Sequence, residues 1–301
     1  MDPMSAAPIA GPVVVGTDGS GGATRAVAWA AEEADLRGLP LQVVCVLARH
    51  PHVPAPEADA LLRRAAAVAR INSDGRPVES RIAVGTPAYV LARLAADAEL
   101  LVVGNRGGGR ALPTLGTTAA RLARTCPCAL AVVRAAPGRP VPDRGRPVLV
   151  AVDGRPGSAA LVRHAARLAA NRDAELQVVH VWKEHAAEVI RRLGRRERVP
   201  HREEAERALE DIATTVAADH PGLRVRWTVE RGGAPWSVLE LSDVAQLVVV
   251  GRHHGRTVGT PATVLLQASS CPVLLAPQSL TVPSIGSTVA RAHGSVTRLG
   301  R

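Results

Sequence analysis

Residues 12–19 read PVVVGTDG, and residues 147–154 read PVLVAVDG. Each is a short apolar, β-branched run closed by Asp-Gly, and each opens a longer Ala/Leu/Arg stretch of helical character, 20–37 and 156–171. A second apolar run follows in both places, LQVVCVL at 41–47 and LQVVHVW at 176–182. Further on, LVVG at 101–104 answers VVVG at 248–251, and CALAVV at 128–133 answers CPVLLA at 271–276. The chain is one pattern written twice. The second copy carries about twelve extra residues in its middle and four fewer in its glycine loop.

Within each copy, continuous apolar strands alternate with helical stretches. Strands that are apolar on both faces belong to a parallel sheet covered by helices. The expected fold is therefore α/β: two tandem doubly wound domains, each an open, mostly parallel five-stranded sheet with helices on both faces. Helix starts are marked by Ser20, by Thr86-Pro87 and by Arg155-Pro156. Residues 135–146, rich in Pro, Gly and charge, read as a linker. This gives an N-terminal flexible stretch at 1–11, domains at 12–134 and 147–277, and a flexible tail at 278–301 that lacks periodicity.

Composition narrows the function classes. The 301 residues carry a formal net charge of +10, yet only Lys183 among the 37 basic residues is lysine, as in an arginine-rich coding bias. The arginines are interspersed with Asp and Glu except at 191–198 (RRLGRRER) and in the tail, and aromatics make up 2% of the chain. A nucleic-acid face needs clustered bases and stacking aromatics, so nucleic acid is not an expected partner, and 191–198 reads as a solvated face. No apolar run reaches the length of a membrane helix, and the start MDPMSAAPIAGP lacks the basic and hydrophobic parts of an export signal. A cytoplasmic protein without membrane insertion is expected. Cys45, Cys126, Cys128 and Cys271 form no disulfide framework, and Cys126-Pro127-Cys128 reads as small residues entering a buried strand rather than a metal site.

The chemistry concentrates after the fourth strand of the first copy. There the chain reads Gly104-Asn105-Arg106-Gly107-Gly108-Gly109-Arg110, and a little further on Gly116-Thr117-Thr118 opens a helix. Glycines let backbone N–H groups approach an anion, and a helix start offers unpaired N–H groups at a positive dipole end. The threonine hydroxyls and the side chains of Arg106 and Arg110 add donors and charge. Asp18, closing the first strand, is an acceptor suited to a base or ribose. The loop by itself fits a second reading equally well, a tight strand-to-helix turn with Thr117 as N-cap. It is neither a Walker loop nor a dinucleotide fingerprint. Elsewhere near the strand ends no nucleophile–base set or carboxylate pair appears.

These residues resemble the universal stress protein family in its tandem form, of the actinobacterial type. Its ATP-binding members carry G-x2-G-x9-G-(S/T) after the fourth strand, with an Asp closing the first. Gly104, Gly107, Gly116, Thr117 and Asp18 match, and Val46 falls where the family sets a residue beside the adenine. The resemblance implies an adenine-nucleotide-binding regulatory protein of the stress response. It implies ATP, with Mg²⁺ held by phosphate oxygens, or AMP or another adenine nucleotide in its place. The site set is Thr17, Asp18, Val46, Gly104, Arg106, Gly107, Gly116, Thr117 and Thr118. Two departures stand out. Eight residues rather than nine separate Gly107 from Gly116, with Pro113 among them, and Ala119 stands where a second hydroxyl is common. In copy two His254 replaces the second glycine, and seven residues separate Gly251 from Gly259 against eleven in copy one. Domain 2 is thus expected to be degenerate, with Asp153 and Val181 keeping only the adenosine end. The resemblance also implies an intramolecular pseudo-dimer, with 130–133 beside 273–275, further homodimerisation and an unidentified protein partner. Two alternatives stay open: a slow Mg-dependent ATPase, and a nucleotide-free partner-binding protein.

Overall fold

The structure is a computed structural model. It describes residues 11–47, 55–107, 115–134, 145–154, 157–182, 202–231, 234–252, 258–277 and 296–298. The chain forms two compact units, Met1–Ala135 and Ala136–Arg301.

In the first unit the order is β1 (Val13–Thr17), α1 (Gly21–Arg37), β2 (Leu41–Leu47), α2 (Ala55–Ile71), β3 (Val78–Val84), α3 (Pro87–Leu94), β4 (Leu100–Gly104), α4 (Thr117–Thr125) and β5 (Ala129–Val133). The strands lie in the order β5-β4-β1-β2-β3, all parallel. Val13, Val15, Leu100, Leu101, Val102 and Leu130 are wholly buried, which is why their sequences are unbroken apolar runs. Each such side chain contributes roughly 1.5–3 kcal/mol by leaving water. The edge strand β3 reads VESRIAV and is largely exposed; charges on an edge discourage pairing with another chain.

The ends of α1 follow from its sequence. The Ser20 Oγ accepts from the Ala23 N–H at 3.2 Å, capping the helix start. Gly38 ends it in the left-handed region (φ 67°), and the Leu39 N–H reaches back to the Ala34 carbonyl. Its inner face is a row of small residues, Ala23, Ala26, Ala30 and Ala34, which lets the helix lie close on β1 and β4. Right-handed crossovers send α1 and α2 to one face and α3 and α4 to the other, and α1 packs with α2 as α3 does with α4.

The second unit repeats this plan with β6 (Val148–Val152), α5 (Ser158–Ala170), β7 (Leu176–Trp182), α6 (Arg202–Asp219), β8 (Val225–Arg231), α7 (Ala234–Leu241), β9 (Leu247–Val250), α8 (Thr260–Ala268) and β10 (Val273–Leu275). Its order is β11-β8-β7-β6-β9-β10, where β11 is Val296–Arg298. This three-residue strand, from within residues 278–301, lies at the edge of the five strands expected for this domain. Three residues are too few to show a period, and what makes them a strand is the open edge of β8, which pairs with them in parallel. The helix expected from Arg155-Pro156 begins at Ser158, after Gly157 (φ 107°); residues 155 and 156 lie outside the described residues. So do the 191–198 run, His253-His254 and residues 108–114. Among the described residues, no helix is long and apolar enough to cross a membrane.

Candidate functional site

The strand order fixes where a ligand can sit. From β1 the chain winds outward through β2 and β3, then returns to the other side of β1 for β4 and β5. The direction reverses between β1 and β4, so a crevice opens beyond their carboxyl ends. Asp18 follows β1 and Gly104 ends β4: the acid and the first loop glycine stand on the two lips of that crevice.

Three glycines are held at close approach. A Cβ at Gly104 would lie 2.9 Å from the Gly22 carbonyl carbon and 3.1 Å from the Ala23 nitrogen, so β4 ends against the start of α1. A Cβ at Gly107 would lie 2.6 Å from Asp18 Oδ2, which sets the glycine loop directly on the acid. A Cβ at Gly116 would lie 3.1 Å from the Asn105 carbonyl oxygen, and the Gly116 N–H donates to that same oxygen at 2.8 Å. Asn105 is buried, and its own N–H donates to the Val133 carbonyl at 2.9 Å. Asn105 and Gly116, at the two ends of the loop, are therefore pinned together.

The remaining expected residues divide. Asp18 Oδ1 accepts from the Ser20 N–H at 3.0 Å, which orients the carboxylate across the top of β1. Thr17 is buried, and its hydroxyl accepts from the Gly19 N–H at 3.3 Å, which shapes the turn after β1. Cys45 is the register partner of Thr17, so Val46 stands one residue beyond, beside Asp18, and is half-buried. Burial first, and the Asp18 carboxylate second, push the Cys45 thiol above its ordinary value. Arg106 is half-buried between the paired loop ends. Thr117 is the first residue of α4, not its cap: Gly116 takes the cap position (φ −61°, ψ 150°) and has no side chain to fill it. With no acidic residue in its first turn either, α4 presents N–H groups and a positive dipole end at the crevice, next to Thr117 and Thr118. Reading the sequence alone misses Gly22 and Asn105. The signal for Asn105 was an amide placed directly after a fully apolar strand.

The second unit keeps the outline and loses the closeness. At Gly251, which corresponds to Gly104, a Cβ would meet, among the described residues, only Leu161 Cδ2 at 3.4 Å, an ordinary contact. Gly259 caps α8 without a side chain, but Pro261 in the first turn removes one N–H donor that Thr118 supplies in α4. His180 occupies the place of Cys45. It is 6% exposed, lies under Gly154, and its Nδ1 has no hydrogen-bond partner among the described residues. Burial holds its pKa below the usual 6.5, opposed by the Val152 carbonyl and the Asp153 carboxylate. The native state therefore binds a proton less readily than the unfolded chain. Stability from this group is full above the unfolded pKa and is lost as pH falls through the window down to the folded pKa. Urea midpoints between pH 8 and pH 5 are expected to fall with acid in the wild-type chain, and less steeply in His180→Leu.

Comparison with known proteins agrees with this architecture. The sequence model of the universal stress protein family matches residues 10–134 and again 145–277. The chain belongs to the universal stress protein family. Universal stress protein Rv2005c of Mycobacterium tuberculosis is 31% identical over 290 residues, covering 89% of this chain and 97% of that protein. Universal stress protein Rv2624c of the same species is 29% identical, over 87% of this chain and 95% of that one. A universal stress protein from Archaeoglobus fulgidus has the same fold, with a TM-score of 0.67 at 15% identity over 89% of this chain and 96% of that one.

Proposed function

We propose that this universal stress protein is a regulatory adenine-nucleotide-binding protein whose ligand is ATP and whose working site is in the first unit. The observation that carries the reading is the apposition of Gly107 to Asp18 at the β1/β4 reversal, beside a helix start whose cap residue, Gly116, has no side chain. A triphosphate needs backbone donors approachable without Cβ atoms, a positive dipole end and a nearby cation. Gly107, Gly116, Thr117, Thr118 and Arg106 supply these, while Gly104 holds β4 against α1 so that the loop starts in the right place. Asp18 and Val46 take the adenosine end, Asp18 as hydrogen-bond acceptor and Val46 as apolar wall. Thr17 acts through the Gly19 turn. Mg²⁺ would be carried by the phosphate oxygens of the nucleotide.

In the second unit the relaxed Gly251 and the donor lost at Pro261 argue against a triphosphate. An adenosine-sized ligand at Asp153 is the reading left for it.

Calorimetric titration of nucleotide-free full-length chain with ATP and Mg²⁺, and separately with AMP, tests the proposal. Saturation near one equivalent, with ATP at least about tenfold tighter than AMP, is expected, because a working cradle contributes roughly 1.4 kcal/mol or more from the extra phosphates. No saturable heat with either nucleotide would overturn it.

A further inference from the structure

Cys126 and Cys128 lie where α4 turns into β5, at the end of the helix remote from the glycine loop, and nothing in the proposed site uses them. Cys126 is the C-cap of α4, its N–H donating to the Leu122 carbonyl, with φ −65° and ψ 126°. That extended backbone is what a following proline imposes, and Pro127 fixes its own φ in turn. Side chains two apart on extended backbone share a side, and the bend at 127–128 draws them together. The two Sγ atoms stand 3.7 Å apart. Their surroundings differ. Cys126 is 1% exposed, whereas Cys128 is only partly covered and its thiol donates to the Ala129 carbonyl at 3.1 Å. Cys128 is thus a partly exposed residue with the buried Cys126 directly beside it.

We propose that Cys126 and Cys128 form a reversible thiol–disulfide site, in which Cys128 reacts first with a hydroperoxide and Cys126 resolves the product. The Cys128 thiolate attacks one oxygen of hydrogen peroxide. The O–O bond breaks, a sulfenic acid forms on Cys128, and the departing hydroxide leaves as water with the thiol proton. Cys126 Sγ then attacks the Cys128 sulfur, the S–O bond breaks, and a second water leaves with the Cys126 proton. Two thiols have lost two electrons, and one peroxide has become two waters. A small ring closed across a single proline departs from relaxed disulfide geometry, which favours ready reduction by thiols and so a switch rather than a staple.

The test is made on the reduced, desalted full-length chain. It is treated with stoichiometric hydrogen peroxide, alkylated with N-ethylmaleimide under denaturing conditions and digested with trypsin. Residues 125–134 (TCPCALAVVR) leave as one peptide holding both cysteines and no other. That peptide is expected to become mainly unalkylated and two hydrogens lighter, and to take two alkyl groups when dithiothreitol precedes alkylation. In Cys126→Ser the intermediate has no resolving partner, so dimedone is expected to trap the sulfenic acid on Cys128. Cys45 and Cys271 are the internal references: both are buried, and burial pushes the Cys271 thiol up to about 12. A doubly alkylated peptide after peroxide, or a sulfinic acid on Cys128 beside an alkylated Cys126 in the wild-type chain, would overturn the proposal.

Discussion

Replacing Gly107 with aspartate is expected to weaken ATP binding at least about a hundredfold, roughly 2.7 kcal/mol, while leaving the unfolding midpoint almost unchanged. The two effects separate because of what surrounds this glycine. It is exposed, its φ lies outside the left-handed region, and among the described residues a Cβ there would meet only the Asp18 carboxylate, with Oδ2 at 2.6 Å. A carboxylate tip swings aside at little cost, so the fold survives. The new carboxylate then stands beside Asp18 and faces the place proposed for the phosphates, where like charges repel in partly dewatered surroundings. Gly107→Ala separates charge from bulk, since it moves Asp18 without adding an anion, and its loss of affinity is expected to be several-fold only. Calorimetry on the three chains, with thermal unfolding alongside, checks the pair. Equal affinity in Gly107→Asp and wild type would remove this loop from the site.

Gly104→Val carries the other large effect, and it falls on stability as well as on binding. A Cβ here would run into the Gly22 carbonyl carbon at 2.9 Å and the Ala23 nitrogen at 3.1 Å, backbone atoms of the first turn of α1. Backbone does not rotate away, and α1 is anchored by its buried alanine face and its Ser20 cap. Either the helix start shifts or β4 ends early. Overpacking of this kind costs about 3 kcal/mol, read as a lowered urea midpoint, and it displaces Asn105 and so the pinned ends of the loop. The matching change in the second unit, Gly251→Val, is the control. Among the described residues its Cβ would meet only the Leu161 side chain, at 3.4 Å, so a cost below about 1 kcal/mol is expected. Equal costs at the two positions would mean that β4 does not in fact end against α1 as described.

Much of this was legible in the residues. The doubled PVVVGTDG and PVLVAVDG runs, the apolar strands between helical stretches and the glycines before Thr117 depend on local pattern. Local pattern is what periodicity and turn chemistry report. Ser20 capped its helix as its side chain predicts. What local pattern does not report is whatever depends on the groups lying opposite in space. Val296–Arg298 became a strand because β8 left an edge open. Thr117 lost the cap position because Gly116 is tied back to the Asn105 carbonyl. Pro261 and Thr118 look like similar neighbours of a threonine, and only the helix turn they occupy makes one a missing donor.

The sequence by itself determined the class of fold, its duplication and membership of the universal stress protein family, because burial on both faces of a parallel strand writes itself directly into unbroken Val and Leu runs. The tertiary structure alone decided which glycines are constrained, since a missing Cβ matters only where another group occupies its space: Gly22 for Gly104, Asp18 for Gly107, nothing firm for Gly251. It also decided that two cysteines separated by a proline hold their sulfurs 3.7 Å apart, one residue buried and the other partly exposed, because distance and exposure belong to folded neighbours and not to spacing along the chain.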